Sequence, residues 1–221
     1  KLINVTPHTV FEHPLVGLLD HPNSDIRTDA VAALANYKRV KLDEQIMRLL
    51  EEDPAVSVKV EALLYLLQRH PRQQLQQLVK FLDSENHLLA DIALLALISE
   101  IKGNAVLWEK LKMAKRLENM VDTVELLPRG THRDELQLLA VRAITAARNP
   151  KFYVKLEEWF PDATLDIRKG IFKAIEKLRE ARFLPLLWQQ LSGDQSVLVS
   201  HVMSTYTEEV LLPILDKKLN K

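Results

Sequence analysis

A helical motif recurs along the chain at a spacing of about 31 residues, and this repeat limits the fold more than any other feature. The segment "HPNSDIRTDAVAALANY" (21–37) contains a turn and then an apolar pattern that starts at Ile26, its anchor residue. Five further segments align with it, and their anchors are Val58, Leu89, Leu136, Ile167 and Leu198. Successive anchors are 32, 31, 47, 31 and 31 residues apart. A fixed period of this length indicates a repeat architecture in which each unit packs on its neighbours.

Each repeat is predicted to hold two helices. After each anchor, apolar residues follow at the fourth, fifth and eighth positions, as in Ala30, Val31 and Leu34, which is helical spacing. The anchored helix follows a turn rich in Pro, Asp, Asn, Ser and Gly, residues that cap or break helices. It is therefore the second of its pair, and no segment shows comparable β alternation. The predicted first helices are 14–20, 43–52, 72–83, 152–160 and 182–191.

The single irregular spacing, 47 residues, predicts an insertion at 103–132. Within it, 105–117 can supply the first helix of the fourth pair, and 118–127 can form an extra short helix. The segment has an apolar set of its own at spacings of three and four, so one of its faces is expected to be buried. We expect that face to lie at or over an apolar stripe on the second helices, and pairing as an ordinary first helix is the alternative. The set is Met113, Leu117, Met120, Val121, Val124 and Leu127.

The repeat resembles a known family. Asp25-Ile26-Arg27 with Ala30 and Leu34, Asp166-Ile167-Arg168 with Ile171 and Ile175, and Val58-Lys59 with Ala62 and Leu66 are similar to HEAT repeats, and most of all to the short HEAT-like class first noted in phycobilisome lyases. The basic residue of the motif is replaced in the other units, by Ala90, Gln137 and Val199. The resemblance covers roughly 11–219.

The resemblance implies an all-α fold, a right-handed α-solenoid of about six helical pairs in a single domain over 1–221. Second helices would line its concave side, and Asp25, Arg27, Lys59, Asp166 and Arg168 would form a ladder between repeats. Because the chain starts at Lys1 without a methionine, we expect it to be part of a longer protein. We also expect a bacterial source, where this repeat class is common, and a cytoplasmic location.

The composition and motifs argue against several functions. The 30 basic and 30 acidic residues balance, whereas nucleic-acid coating and attachment to anionic membranes need a basic surplus. The chain has no cysteine, its seven histidines form no metal-binding pair, and no nucleotide-binding or nucleophile motif occurs. No apolar run reaches the roughly 18 to 20 residues of a membrane span. We therefore expect neither an enzyme nor a bound cofactor or metal.

The surface predicted to bind a partner is the solvent-facing side of the second helices. Helical geometry places an apolar stripe there in units two to four, and an apolar patch on a soluble array is usually covered. A basic group follows the stripe, and its lysines at spacings of four repel one another and favour an acidic partner. The insertion, tight curvature of the array or an ordinary solvated lysine face are the alternatives. The residues are Val60, Leu64, Ile92, Leu95, Leu138, Arg142, Lys169, Lys173 and Lys177.

The expected function is therefore a non-enzymatic scaffold or regulatory domain that binds a protein partner or another domain of the same polypeptide. The alternative is a DNA-binding repair enzyme similar to the alkylpurine DNA glycosylases, which also use HEAT-like pairs, with an Asp and Trp residues in a basic concave groove. Here Trp108, Trp159 and Trp188 fall on first helices or in the insertion, away from that groove. Phycobilin lyase activity has no signature in the sequence.

Overall fold

The computed structural model describes residues 9–37, 42–69, 74–101 and 103–212. Every regular element in these ranges is helical, so the all-α prediction is confirmed. The chain divides into two compact units, Lys1–Ile101 and Lys102–Lys221, and the boundary falls directly before the predicted insertion. The start of the predicted helix at 72–83 lies outside the described residues, as do 213–219 at the end of the predicted repeats.

The first unit contains three helical pairs. The first helices are α1 (Glu12–Gly17), which continues as a 3-10 turn over Leu18–Asp20, α3 (Asp43–Glu52) and α5 (Leu75–Phe81). The second helices are α2 (Ser24–Leu34), α4 (Val56–Arg69) and α6 (His87–Glu100). Each second helix packs on its own first helix, and α4 also packs on both α2 and α6.

The second unit continues with α7 (Ala105–Lys110), α8 (Met113–Leu126) and α9 (Thr131–Ala147). Then follow α10 (Tyr153–Trp159), α11 (Leu165–Leu178), α12 (Leu184–Gln189) and α13 (Ser196–Ser204). Turns of 3-10 helix over Pro150–Phe152 and Ala181–Phe183 lead into α10 and α12. The second helices α9, α11 and α13 pack in succession. All six predicted second helices are thus present.

The core of both units is built on the repeat pattern. The residues four, five and eight positions after each anchor are buried in every pair, except for Met203, which is half-buried. Asparagine side chains cap several helices: Asn23 accepts a hydrogen bond from the amide of Asp25, and Asn86 from that of Leu89. These caps satisfy amides that a helix start leaves free, and they fix where the second helices begin.

The insertion folds differently from the prediction. The break does not fall at residue 117 but at Lys112, which has left-handed backbone angles (φ 51°) and ends the short α7. The longer helix α8 therefore spans the predicted boundary, and it packs along α9 as a first helix packs along its second. Lys155 of α10 also reaches Glu125 of α8 (Nζ to Oε1, 2.7 Å).

The apolar face of α8 is buried at Met113, Leu117, Met120, Val121 and Val124, and Leu127 is half-buried. Since α8 pairs with α9, the alternative in which the insertion supplies an ordinary first helix describes the structure. The expectation that this segment serves as a cover for the stripe loses its basis.

Candidate functional site

Two residues of the predicted apolar stripe lie in the core. Val60 is 9% exposed and Ile92 is 7% exposed, so their predicted solvent-facing placement is wrong. A single-helix projection counts only the face toward the first helix as buried, whereas α4 also packs on the neighbouring second helices α2 and α6. The flanks of each second helix are therefore buried against the next repeat.

The remaining apolar residues of the stripe are partly accessible. Leu64 is exposed, whereas Leu95 and Leu138 are half-buried. Leu138 rests on Gly170 of α11, where an added Cβ would lie only 2.8 Å from Leu138 Cδ1. Glycine at this position lets α9 and α11 approach closely, which explains why Leu138 is partly covered. The stripe is thus not a continuous apolar groove within either unit.

The predicted basic residues lie on the surface of two helices that pack together. Arg142 on α9 and Lys169, Lys173 and Lys177 on α11 are all exposed, and α9 packs on α11. We call these four residues the basic face. Lys169 Nζ is 3.8 Å from Asp166 Oδ1, a weak pair. Within the part of the chain that the structure describes, no ion pair involves the other three.

Arg148 extends the basic face, and the sequence pattern gave no sign of it. It lies at the end of α9 in a left-handed conformation, and its Nη2 donates a hydrogen bond to the carbonyl oxygen of Lys177 at 3.2 Å. This carbonyl belongs to the last turn of α11, where a cation is favoured by the helix dipole. Arg148 therefore adds an exposed cation beside Lys177.

Of the predicted ladder residues, Arg27 does link two repeats, but its partner is Asp53. Arg27 forms a bidentate pair with Asp53, with Nε to Oδ2 and Nη2 to Oδ1 both 2.8 Å, between the first and second helical pairs. The Arg27 Nη1 atom also donates to the carbonyl oxygens of His21 (2.7 Å) and Pro22 (3.1 Å). Both side chains are buried, so this pair is a clamp between the two repeats, and we call it the Arg27–Asp53 clamp.

Electrostatics follow from this geometry. Burial alone would raise the pKa of Asp53, but hydrogen bonds from the Arg27 side chain and the Ala55 amide outweigh it and lower the pKa below 3.8. The hydrogen bond to Asp53 raises the pKa of Arg27, and burial opposes this only in part. Each charged form is therefore stabilised by its partner.

The other predicted ladder residues act within their own repeats. Asp25 and Asp166 are exposed in the first turns of α2 and α11, so their assignment to an inter-repeat ladder is wrong. Lys59 Nζ donates to the carbonyl oxygen of Glu51 (2.9 Å), and Arg168 Nη2 donates to that of Pro161 (2.8 Å). A basic residue after the anchor thus binds a carbonyl near the end of the preceding helix or in the turn that follows it, as Arg27 also does.

A cavity in the second unit was not predicted. It has a volume of about 210 Å³ and lies between the start of α9 and the turn from α10 to α11. Arg133 and Gln137 of α9 and Trp159 of α10 line it, together with the exposed pair between Arg129 Nη2 and Asp162 Oδ2 (3.0 Å). The Trp159 indole Nε1 and the Arg133 Nε are buried and have no hydrogen-bond partner.

Comparison with family models and with curated proteins finds no match. The chain's own geometry therefore carries the functional argument.

Two further observations bear on the candidate functions. Among the described residues, no three His, Asp or Glu side chains come close enough together to hold a metal ion. None of the helices in the same part of the chain is both long and apolar enough to cross a membrane. The tryptophans lie on α7, α10 and α12, and Trp159 lines the cavity described above.

Proposed function

We propose that this protein is a HEAT-like right-handed α-solenoid, a non-enzymatic cytoplasmic scaffold or regulatory domain that binds an acidic segment of a protein partner or of its own polypeptide. The observation that carries the proposal is the basic face on α9 and α11. Arg142 and Lys173 occupy equivalent positions of consecutive repeats, six residues after Leu136 and Ile167. Repetition of one exposed basic position across adjacent helices suits an extended ligand that runs along the array.

The charges of the basic face favour an anionic ligand. Lys169, Lys173 and Lys177 follow one another at spacings of four on α11, where like charges repel. An acidic segment would relieve this repulsion and would be steered toward the site by the local positive potential. A polypeptide is preferred to nucleic acid because the whole chain has 30 basic and 30 acidic residues, without the surplus that phosphate binding requires.

A binding assay with a fluorescent glutamate-rich peptide tests the proposal. The double variant Lys173→Glu/Lys177→Glu is expected to bind the peptide at least about tenfold more weakly than wild type, because close attractive pairs become repulsive ones. The control is Lys80→Glu/Lys110→Glu, which makes the same change in net charge at exposed lysines that are not part of the basic face. Equal loss of affinity in both variants would contradict the proposal.

A second arm of the assay addresses the DNA-binding alternative. A short DNA duplex at moderate salt is expected to show no measurable affinity for the wild-type chain. Duplex binding that is lost when Lys169, Lys173 and Lys177 are replaced would favour an activity similar to that of the DNA glycosylases over recognition of an acidic polypeptide.

A further inference from the structure

We infer that the cavity between α9 and the α10–α11 turn is a binding pocket for a single carboxylate group, the side chain of an acidic residue in a bound polypeptide. It is separate from the basic face. The inference rests on the proposed function only for the source of the carboxylate. The pocket itself is argued from Arg133, Gln137 and Trp159, which line the cavity.

Two of these residues, Trp159 and Arg133, bring unused hydrogen-bond donors to one place. Trp159 is only 6% exposed and Gln137 only 5% exposed. The indole Nε1 of Trp159 and the Nε of Arg133 are buried without a partner. Buried polar groups nearly always have hydrogen-bond partners, since leaving them unpaired is costly. Two such groups in residues that line one cavity therefore indicate a ligand that accepts hydrogen bonds.

The start of α9 adds further donors at the same cavity. This helix has 17 residues, and Gly130 precedes it without a side chain that could cap the first amides. Free amides at a helix start carry partial positive charge and attract anions. Together with the Arg133 guanidinium, they make the cavity suited to an anionic acceptor.

The repeat pattern explains why the cavity exists here. Gln137 directly follows the anchor Leu136, just as Arg27 directly follows the anchor Ile26. Likewise, Asp162 and Asp53 each lie five residues before the anchor of the next repeat. In the first unit these positions form the Arg27–Asp53 clamp, which fills the space between repeats. In the second unit the shorter glutamine makes no such clamp, and Asp162 pairs instead with Arg129. The space that a guanidinium occupies between the first two repeats is therefore open.

The charges around the cavity favour a carboxylate over a phosphate. Asp134, Glu158 and Asp162 also line it, and Asp162 already pairs with Arg129. Only Arg133 remains as an unpaired cation, which suits one negative charge, whereas a phosphate dianion would face repulsion from these carboxylates. The planar guanidinium matches the two oxygens of a carboxylate. The volume of about 210 Å³ exceeds the roughly 30 Å³ of one water molecule and admits an acidic side chain.

An NMR titration of the ¹⁵N-labelled chain tests the pocket directly through its tryptophan N–H groups. The probe is N-acetylglutamate with its α-carboxyl blocked as an amide, so that it carries one side-chain carboxylate. We expect a saturable downfield shift of the Trp159 indole resonance and no shift of the Trp108 and Trp188 resonances. The matched glutamine compound is expected to leave all three unchanged. No saturable response, or an equal response to the glutamine compound, would show a cavity filled by water alone and would overturn the proposal.

Variants separate the pocket from the basic face. Arg133→Gln is expected to weaken probe binding at least about tenfold, because it removes the charged hydrogen bonds to the carboxylate. Arg179→Gln removes the same charge from an exposed residue at the end of α11 that does not line the cavity, and it is expected to leave probe binding unchanged. Arg133→Lys keeps the charge but loses the two parallel N–H groups of the guanidinium, so it should also bind the probe weakly. It provides a second variant if Arg133→Gln does not fold. Wild-type affinity in both Arg133 variants would overturn the proposal.

The source of the carboxylate is tested by competition. The acidic peptide is expected to displace the probe from the Trp159 site, whereas inorganic phosphate at equal concentration is not. Displacement by phosphate with equal affinity would overturn the carboxylate assignment, and failure of the peptide to compete would overturn the polypeptide source. The variant Lys173→Glu/Lys177→Glu should keep the response of Trp159 to the small probe, so the pocket and the basic face can fail independently.

Discussion

Arg27 and Asp53 show how one buried ion pair can link two repeats. The guanidinium uses one edge for the carboxylate of the second repeat and its remaining nitrogen for two carbonyls of its own turn. Asp53 in turn accepts the amide of Ala55 at the start of α4. Because every charged atom has a partner, removing either side chain would leave a buried charge unpaired, which is the costly case.

Asp53→Asn is therefore expected to lower the melting temperature by roughly 5 °C or more, since it replaces charge-assisted hydrogen bonds in a buried site. Circular dichroism during heating measures the change. The control is Asp20→Asn, because the Asp20 carboxylate pairs with Arg48 Nη2 at 3.0 Å on the surface, where both side chains are exposed. Exposed pairs contribute little, so the control should melt within about 1 °C of wild type. Equal effects of the two substitutions would contradict the clamp.

The clamp also predicts a dependence of stability on pH. Asp53 has a lowered pKa in the folded protein, so its contribution is present above the ordinary value of 3.8 and is lost as the pH falls through the lower folded value. The difference in free energy of unfolding between wild type and Asp53→Asn should thus be constant above about pH 5 and should shrink in more acidic solution. Urea unfolding at several pH values measures it. A difference that grows on acidification would refute the assignment.

The sequence predicted that Arg27 links repeats but not which residue it binds. The motif within one repeat pairs Arg27 with its neighbour Asp25. The structure shows that Arg27 binds Asp53 instead, 26 residues later, between α3 and α4. The same limit applies to Trp159. Its position in a first helix gives no sign of a site, and only the structure shows that it lines a cavity with Arg133 and that its indole N–H lacks a partner.

The helix α8 is integral to the second unit. It packs along α9, and ion pairs join it to the 3-10 turn before α10 and to α10 itself: Lys151 Nζ to Glu118 Oε1 at 3.0 Å and Lys155 Nζ to Glu125 Oε1 at 2.7 Å. The next such link, from Arg182 to Glu157, repeats the arrangement one pair later. First helices of consecutive pairs are thus connected along the surface in the same way.

Leu117→Ala tests this role of α8. Leu117 is fully buried, so its truncation is expected to lower the free energy of unfolding by about 2 to 5 kcal/mol. Leu126→Ala on the same helix is the control, because Leu126 is 85% exposed, and its effect should stay within about 0.5 kcal/mol. Chemical denaturation measures both. If α8 only covered the apolar stripe of the second helices, Leu117→Ala would lower the free energy of unfolding no more than the control does.

The periodic pattern located the helices well because it reports burial inside a pair. Ile171, Phe172 and Ile175 are all buried, as their spacing predicts. It failed where the neighbouring repeat decides the outcome, as at Val60 and Ile92. The predicted boundary between the two helices of the insertion was also wrong. The boundary lies at Lys112, whose left-handed conformation is not signalled in the sequence by Gly or Pro.

Across each unit, the repeat gives a succession of packed second helices, and function is expected to lie on the surface that they present. In the second unit that surface carries the basic face, and the pocket at the start of α9 lies between the same two repeats. The basic face is positive, whereas the pocket is lined by two arginines and three carboxylates and offers the Arg133 guanidinium and unpaired N–H donors to one carboxylate. An acidic polypeptide is therefore the partner that the proposed function requires, whichever protein supplies it.

Chemical footprinting of lysines with and without the glutamate-rich peptide tests this claim most directly, because all the comparisons are made within one molecule. The amines are acetylated briefly in solution, and mass spectrometry gives the extent of modification at each lysine. The account predicts that the peptide protects Lys169, Lys173 and Lys177, whereas the exposed Lys80 and Lys110 react as before. Uniform protection of all five lysines, or protection confined to Lys80 and Lys110, would contradict it.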